Sequence, residues 1–399
     1  MKILLIWNAQ FLGHYGGMEK VMASFANEMT ARGHKVTISY CTDKKAEIPF
    51  PIDPAVHLMN IADFAPGQKW ESARPLSFII KRELLRIIDK ERMKKLYTDY
   101  EKIHSSDAVG KIIEIAAPDI IISWEARTTF LVESAIEKDI PLVTMSHFNA
   151  EFILQNTNRE EQDALRKSTV VQVLMPHDIE VLEKAIPGVR LIHISNIVPQ
   201  YDIDDSERKP IIVNVARLDG RQKRQHLLID AFAKIADRFP NWTLEFYGKE
   251  QSKTHYTRRL KSMIQKYHLE DRVFLKGNTS DVEAVYRRGS IFGFPSAYEG
   301  FPLAMTEAMS AGIPVIAYRS CPAVNEIIRD GETGILCEDG VDSLADALAR
   351  LMEDETLRRR LGAAAKEDMK QYAAENIWDQ WESLMKELVN ENKQKTSLP

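Results

Sequence analysis

Short apolar runs alternate with longer stretches of helical periodicity along this chain, and the whole alternation occurs twice. Lys2–Trp7 reads as a strand, and Gly17–Arg32 follows with Val21, Met22, Phe25, Ala26 and Met29 at helical spacing before a Gly33 stop. Lys35–Cys41, Ile120–Ser123, Leu142–Ser146, Thr169–Met175 and Leu191–Ile194 are further strand-like runs. Apolar strands separated by helices imply a parallel sheet covered on both faces. Val198–Lys209 is polar and aperiodic, and reads as a linker. The pattern then restarts with strands at Ile211–Ala216, Thr243–Tyr247, Val273–Leu275, Ile291–Phe294, Val315–Ala317 and Gly334–Cys337, and helices at Gln225–Arg238 and His255–Tyr267. The expected fold is α/β, with two Rossmann-like, doubly wound domains at 1–198 and 210–374. A final helix from 375 sets Trp378, Trp381, Leu384, Met385 and Leu388 on one stripe, which needs a partner surface.

Composition removes several function classes. The net charge is -5 and neither half is basic overall, which disfavours nucleic acid as a partner. Cys41, Cys321 and Cys337 are far apart and form no metal-ligand spacing, as expected for a reducing compartment. No run approaches the ~20 apolar residues of a membrane span. These features lead us to expect a cytoplasmic protein.

Ligands of doubly wound sheets bind outside the carboxyl ends of the strands, so the expected site lies between the two domains. Gly16-Gly17-x-Glu19 stands where a helix begins; a close approach to an anion and a plain tight turn both fit it. Arg217 follows a strand and Lys223 begins the next helix, two cations placed for a diphosphate, although Arg221 and Arg224 make a solvated basic stretch an alternative. The strongest local signal is the block from Glu299 to Glu307. Pro302 suits a first helical position, Gly312-Ile313-Pro314 ends the helix, and the two glutamates are eight residues apart on one strand–loop–helix unit. His147 ends an apolar strand; His177 has a similar address without a partner motif, and reads as structural.

Together, Gly16-Gly17-x-Glu19, His147, Arg217 with Lys223, and Glu299-x7-Glu307 followed by Ala311-Gly312-Ile313-Pro314-Val315 resemble retaining glycosyltransferases of family 4, which have the GT-B fold. The resemblance implies a nucleotide-sugar substrate held mainly by the C-terminal domain, with no cofactor. Arg217 and Lys223 would hold the diphosphate, Glu307 the ribose hydroxyls and Glu299 the hydroxyls of the donor sugar. The backbone of Gly300, Phe301, Pro302 and Leu303 would approach the phosphates, with Gly248 and Lys249 in a neighbouring phosphate loop. Gly16 and Gly17 would lie by the diphosphate and sugar, and His147 would touch the transferred sugar. Arg217, Lys223, Glu299 and His147 are the implied catalytic set. The closing helix would cross back to the N-terminal domain. Three positions depart from the family pattern: Ala216 replaces a glycine, Gly248-Lys249-Glu250 replaces Gly-x-Gly, and Pro302 replaces a glycine and removes an N–H donor.

No metal site is expected, because the one Asp-x-Asp, Asp202-Ile203-Asp204, sits in the polar linker. The family implies retention, and front-face attack with the departing diphosphate taking the acceptor's proton is the working expectation. Lys81–Lys95 is strongly basic, with Leu84, Leu85, Ile87 and Ile88 between its charges. It reads either as a surface helix or as an interfacial helix whose Lys81, Arg82, Arg86, Lys90, Arg92, Lys94 and Lys95 meet an anionic membrane. The second reading suits a lipid-linked glycan acceptor. A 2-epimerase acting on UDP-sugars and a non-catalytic nucleotide-sugar binder remain alternatives.

Overall fold

The computed structural model describes residues 1–12, 17–42, 47–48, 50–65, 74–136, 139–249 and 255–396. The chain divides into two compact units, Met1–Ser195 with Trp378–Pro399, and Asn196–Ile377. Each is an α/β Rossmann-like domain built on one parallel sheet.

In the first unit the strands are β1 (Lys2–Ile6), β2 (Lys35–Tyr40), β3 (His57–Asn60), β4 (Ile120–Ser123), β5 (Leu142–Met145), β6 (Val170–Val173) and β7 (Leu191–His193), in the order β3-β2-β1-β4-β5-β6-β7. β1 pairs in parallel with both β2 and β4, so the strand order reverses beside it. All four residues of β4, β5 and β6 are buried, as strands covered by helices on both faces must be. β3 has no sequence signature: His57-Leu58-Met59-Asn60 has one exposed and three half-buried residues at the sheet edge.

The closing helix, Ala374–Thr396, finds its partner surface inside this unit. Trp378 and Trp381 stand edge-on to Phe25, with ring centroids 5.5 and 5.2 Å away. Leu384, Met385 and Leu388 are buried beside them. Arg32 reaches Asp379 at 2.6 Å and Glu382 at 3.1 Å, which fixes the helix's register against the segment around residue 32.

The second unit carries β8 (Ile211–Val215), β9 (Thr243–Tyr247), β10 (Val273–Gly277), β11 (Ile291–Phe294), β12 (Val315–Tyr318) and β13 (Gly334–Cys337), in the order β10-β9-β8-β11-β12-β13. The order reverses between β8 and β11, and that is where a doubly wound sheet opens a crevice at its strand ends. The stretch read as a linker is not solvated throughout. Val198 is fully buried and its N–H donates to the Tyr372 carbonyl at 2.9 Å, while the Ser310 hydroxyl donates to the Pro199 carbonyl at 2.5 Å. Ile203, inside Asp-x-Asp, is also buried, and Asp204 caps a short turn by accepting the Ser206 N–H at 3.0 Å.

Candidate active site

The reversal point of the second sheet collects the charged residues expected to hold the donor. Lys223 enters after β8 and Glu299 after β11; the Lys223 Nζ lies 2.6 Å from the Glu299 Oε1. Both side chains are largely shielded, at 17% and 7% exposure, and the ammonium also lies 5.5 Å from the Phe294 ring centroid. An ion pair this dry needs good geometry to offset desolvation. Gln222 supplies part of it, donating to the Tyr298 carbonyl at 3.1 Å and accepting the Ala297 N–H through its own carbonyl at 2.8 Å. Arg217 stays 44% exposed beside this pair, hydrogen-bonded to the Gln222 side chain and 3.6 Å from Asp219. It is a cation with modest commitments, available to an anion from solvent.

The loop under Arg217 depends on one glycine. Gly248 has φ +140°, and a Cβ there would stand 2.0 Å from the Ala216 carbonyl oxygen. This close approach lets the Leu218 N–H reach the Lys249 carbonyl at 3.1 Å, which stitches the β9 exit to the Arg217 segment. Lys249 itself is exposed. Gly248→Ala is expected to lower stability by more than about 1 kcal/mol and to displace Arg217. A urea midpoint and a UDP titration, both reduced, check this.

Pro302 occupies the N-cap of a helix that starts at Leu303, one residue later than expected, with its carbonyl accepting the Met305 and Thr306 N–H groups at 2.9 and 3.0 Å. Phe301 is buried, and its ring meets Tyr372 at 5.5 Å, which holds the Gly300–Leu303 turn in place. Glu307 stands about one helical turn into this helix and accepts the Tyr286 hydroxyl at 3.1 Å. The structure therefore brings Arg217, Lys223 and Glu299 into one cluster and gives Glu307 a different neighbourhood, beside Tyr286 and Tyr201.

In the first unit His147 leaves β5 with its ring 4.9 Å from that of Trp124. Its Nε2 is shut off from solvent and has no hydrogen-bond partner. Burial alone pulls its pKa down to about 3, so the ring is neutral at physiological pH. Gly17 opens the first helix with free space where a Cβ would go, whereas Gly16 lies outside the described residues. Glu19 is buried in that helix's first turn, and His177, half exposed, lies 3.9 Å from Glu151.

Two features of the basic stretch differ from expectation. Lys81–Lys95 is not one helix: Leu76–Ile88 ends and Lys90–Ala116 begins at Asp89, whose N–H still bonds Leu85 at 2.8 Å while its carboxylate caps the Arg92 N–H at 3.0 Å. Lys94 and Lys95 are also committed within the unit. Lys94 pairs with Glu91 at 2.7 Å and donates to the Thr157 carbonyl at 3.2 Å, and Lys95 pairs with Glu160 at 2.5 Å and Asp99 at 2.9 Å. Arg82 and Arg86 both meet Glu83, and Arg92 meets Asp89, so Lys81 and Lys90 are the cations of this stretch without an ion pair among the described residues.

Several site residues have no motif to announce them. Asp219, in Asp219-Gly220, accepts the Arg221 and Gln222 N–H groups at 2.8 and 2.9 Å and so shapes the loop that aims Lys223. Arg224 is not a solvated charge: it donates to the Pro295 and Ser296 carbonyls at 2.8 and 2.9 Å, and pins the segment leading to Glu299. The Asp-Gly pair was a readable turn signal; Arg224 had none.

Each unit is thus a Rossmann-like domain, and a cationic cluster gathers at the reversal point of the second sheet. Residues 201–368, most of the second unit, match the family model described as Glycosyl transferases group 1. An exopolysaccharide phosphotransferase of Streptomyces coelicolor is 38% identical over 370 residues, covering 89% of this chain and 36% of that protein. The chain thus spans about a third of that relative's length. A sucrose-phosphate synthase of Thermosynechococcus elongatus shares the fold at a TM-score of 0.74 and 19% identity, covering 97% of this chain and 98% of that one. Anabaena HepE in complex with UDP-glucose does so at 0.71 and 19%, covering 97% and 100%.

Proposed function

We propose that this protein transfers a hexose or N-acetylhexosamine from a nucleotide sugar, with UDP as the nucleotide, to a glycan acceptor, with retention of configuration. The observation that carries the reading is the meeting of Arg217, Lys223 and Glu299 at the reversal point of the second sheet. In this reading Arg217 and Lys223 take the diphosphate and stabilise the charge that grows on it as the glycosidic bond breaks. Glu299 receives hydroxyls of the sugar, exchanging the Lys223 ammonium for the ligand, and Glu307 receives the ribose. The turn at Gly300–Leu303 and the loop at Gly248–Lys249 approach the phosphates, with Gly16 and Gly17 nearby. His147, neutral, hydrogen-bonds the transferred sugar. The acceptor hydroxyl attacks from the face the diphosphate leaves, and its proton passes to the departing phosphate oxygen.

Incubation with UDP-sugars tests this. Acceptor-stimulated release of free UDP is the expected result. Interconversion of sugars would establish epimerisation instead, and tight UDP-sugar binding with no turnover would establish a binding protein.

The acceptor is proposed to be lipid-linked, because the Leu76–Ile88 helix turns a stripe of Leu76, Ile80, Leu84, Ile87 and Ile88 outward, with Ile87 85% exposed. Lys81, Arg86 and Lys90 are exposed on or next to this helix, so an anionic lipid surface is the complementary partner. No helix among the described residues is long and apolar enough to cross a membrane. The double variant Ile87→Glu/Ile88→Glu should lose co-sedimentation with phosphatidylglycerol vesicles, while Lys95→Glu, whose ammonium serves Glu160, should keep it. Equal binding by all three proteins would overturn the membrane assignment.

A further inference from the structure

Tyr286 lies in the last turn of helix Val282–Arg288, and its side chain is shut off from solvent. Its ring is wedged among other aromatics: the Tyr201 ring meets it at 5.7 Å and the Phe292 ring of β11 at 6.2 Å, both edge-on. The backbone is held as firmly. Arg208 donates to the Tyr286 carbonyl at 3.2 Å and to the Gly289 carbonyl at 2.6 Å, which ties down the end of the helix. Asp281 caps its start by accepting the Ala284 N–H at 2.9 Å.

The Tyr286 hydroxyl lies 3.1 Å from the Glu307 Oε2 and 3.2 Å from the Ala304 carbonyl oxygen, both on helix Leu303–Ser310. It carries a single proton, and a carboxylate is the stronger acceptor. Burial and the neighbouring Glu307 carboxylate hold the hydroxyl's pKa well above its ordinary value, so it stays a donor at physiological pH. A glutamate without such a bond swings through a broad range of carboxyl torsions. Here the donor is itself immobile, so it holds the Glu307 carboxylate in one orientation. Packing alone would be served by a phenylalanine, as it is at the adjoining Phe292; the hydroxyl serves Glu307 and its helix.

Resting on the reading above that Glu307 receives the ribose, we infer that Tyr286 is a positioning residue of the donor site: its hydroxyl fixes the Glu307 carboxylate to meet the ribose hydroxyls of a nucleoside diphosphate. Tyr286 itself touches no substrate. It acts by preorganising Glu307, so its effect is confined to ligands that carry those hydroxyls. A hydroxyl that merely joined two helices would affect every ligand of the site alike.

The test titrates the full chain, by calorimetry, with UDP and with 2′,3′-dideoxy-UDP, which lacks both ribose hydroxyls. Wild type should bind UDP about tenfold tighter or more, the worth of a hydrogen bond to a charged group. Tyr286→Phe keeps the ring and removes only the hydroxyl. It should lose about threefold or more in UDP affinity and keep its affinity for the dideoxy compound, which also reports a folded site. Its KM for the nucleotide sugar should rise while kcat stays near wild type. In a Glu307→Ala background, Tyr286→Phe should change neither affinity, because the group it positions is gone. Discrimination left intact by Tyr286→Phe, equal losses for both nucleotides, or a further loss of UDP affinity in the Glu307→Ala background would overturn the inference and leave the ribose reading standing. Equal binding of the two nucleotides by wild type would instead sink the ribose reading of Glu307, and the inference with it.

Discussion

Arg217→Ala should reduce acceptor-stimulated UDP release by about 10²–10³-fold, or roughly 3–4 kcal/mol of transition-state stabilisation, the range found when one fixed donor to a developing oxyanion is removed. The variant is a clean probe, because Arg217 is 44% exposed and its bonds to Gln222 and Asp219 are local, so thermal stability should stay near wild type. Lys223→Ala should cost as much activity and also stability, because it strands the Glu299 carboxylate in a shielded position. A melting curve separates the two effects: lost activity at unchanged midpoint for Arg217→Ala, and lost activity with a lowered midpoint for Lys223→Ala. Wild-type turnover by Arg217→Ala would end the assignment of this cluster to the donor diphosphate.

Trp381→Ala should destabilise the first unit by about 3–5 kcal/mol, as expected for removing a large aromatic from a packed core. Trp381 is 2% exposed and lies edge-on to Phe25, so truncation opens a cavity lined by Phe25, Trp378 and their neighbours. The loss should appear as a lowered urea midpoint for the first unit. Trp378→Phe, which keeps an apolar ring against Phe25, should lose less than half as much. A midpoint unchanged in Trp381→Ala would mean that the closing helix contributes little to this core.

Strand positions were readable wherever burial made them continuously apolar. β4 up to Ser123 and β13 throughout carry that mark, half-buried β7 and β10 were legible only as short apolar runs, and β3, half-buried at an edge, was missed. The tryptophan stripe correctly demanded a surface, although periodicity could not say that the surface would be Phe25. Lys81–Lys95 misled because helical periodicity passes through Asp89, and only the tertiary arrangement reveals that this one side chain caps the next helix. For the same reason seven cations looked equivalent in sequence, yet Lys94 is matched to Glu91 of its own helix and to the Thr157 carbonyl, and Lys95 to Asp99 of its own helix and Glu160 of a neighbouring one. Arg217, Lys223 and Glu299 were legible as strand-end residues, but the direct contact of Lys223 with Glu299 was not, since it joins segments 76 residues apart.

The tail that covers Phe25 is encoded after the entire second unit. During synthesis, residues 1–195 therefore emerge with Phe25 lacking Trp378 and Trp381, and the second unit is complete before this cover exists. A fragment ending at residue 195 is an unfinished domain rather than an independent one. Any effort to study the first unit alone must graft residues 374–396 onto it, and any frameshift in the second half of the chain removes a structural part of the first.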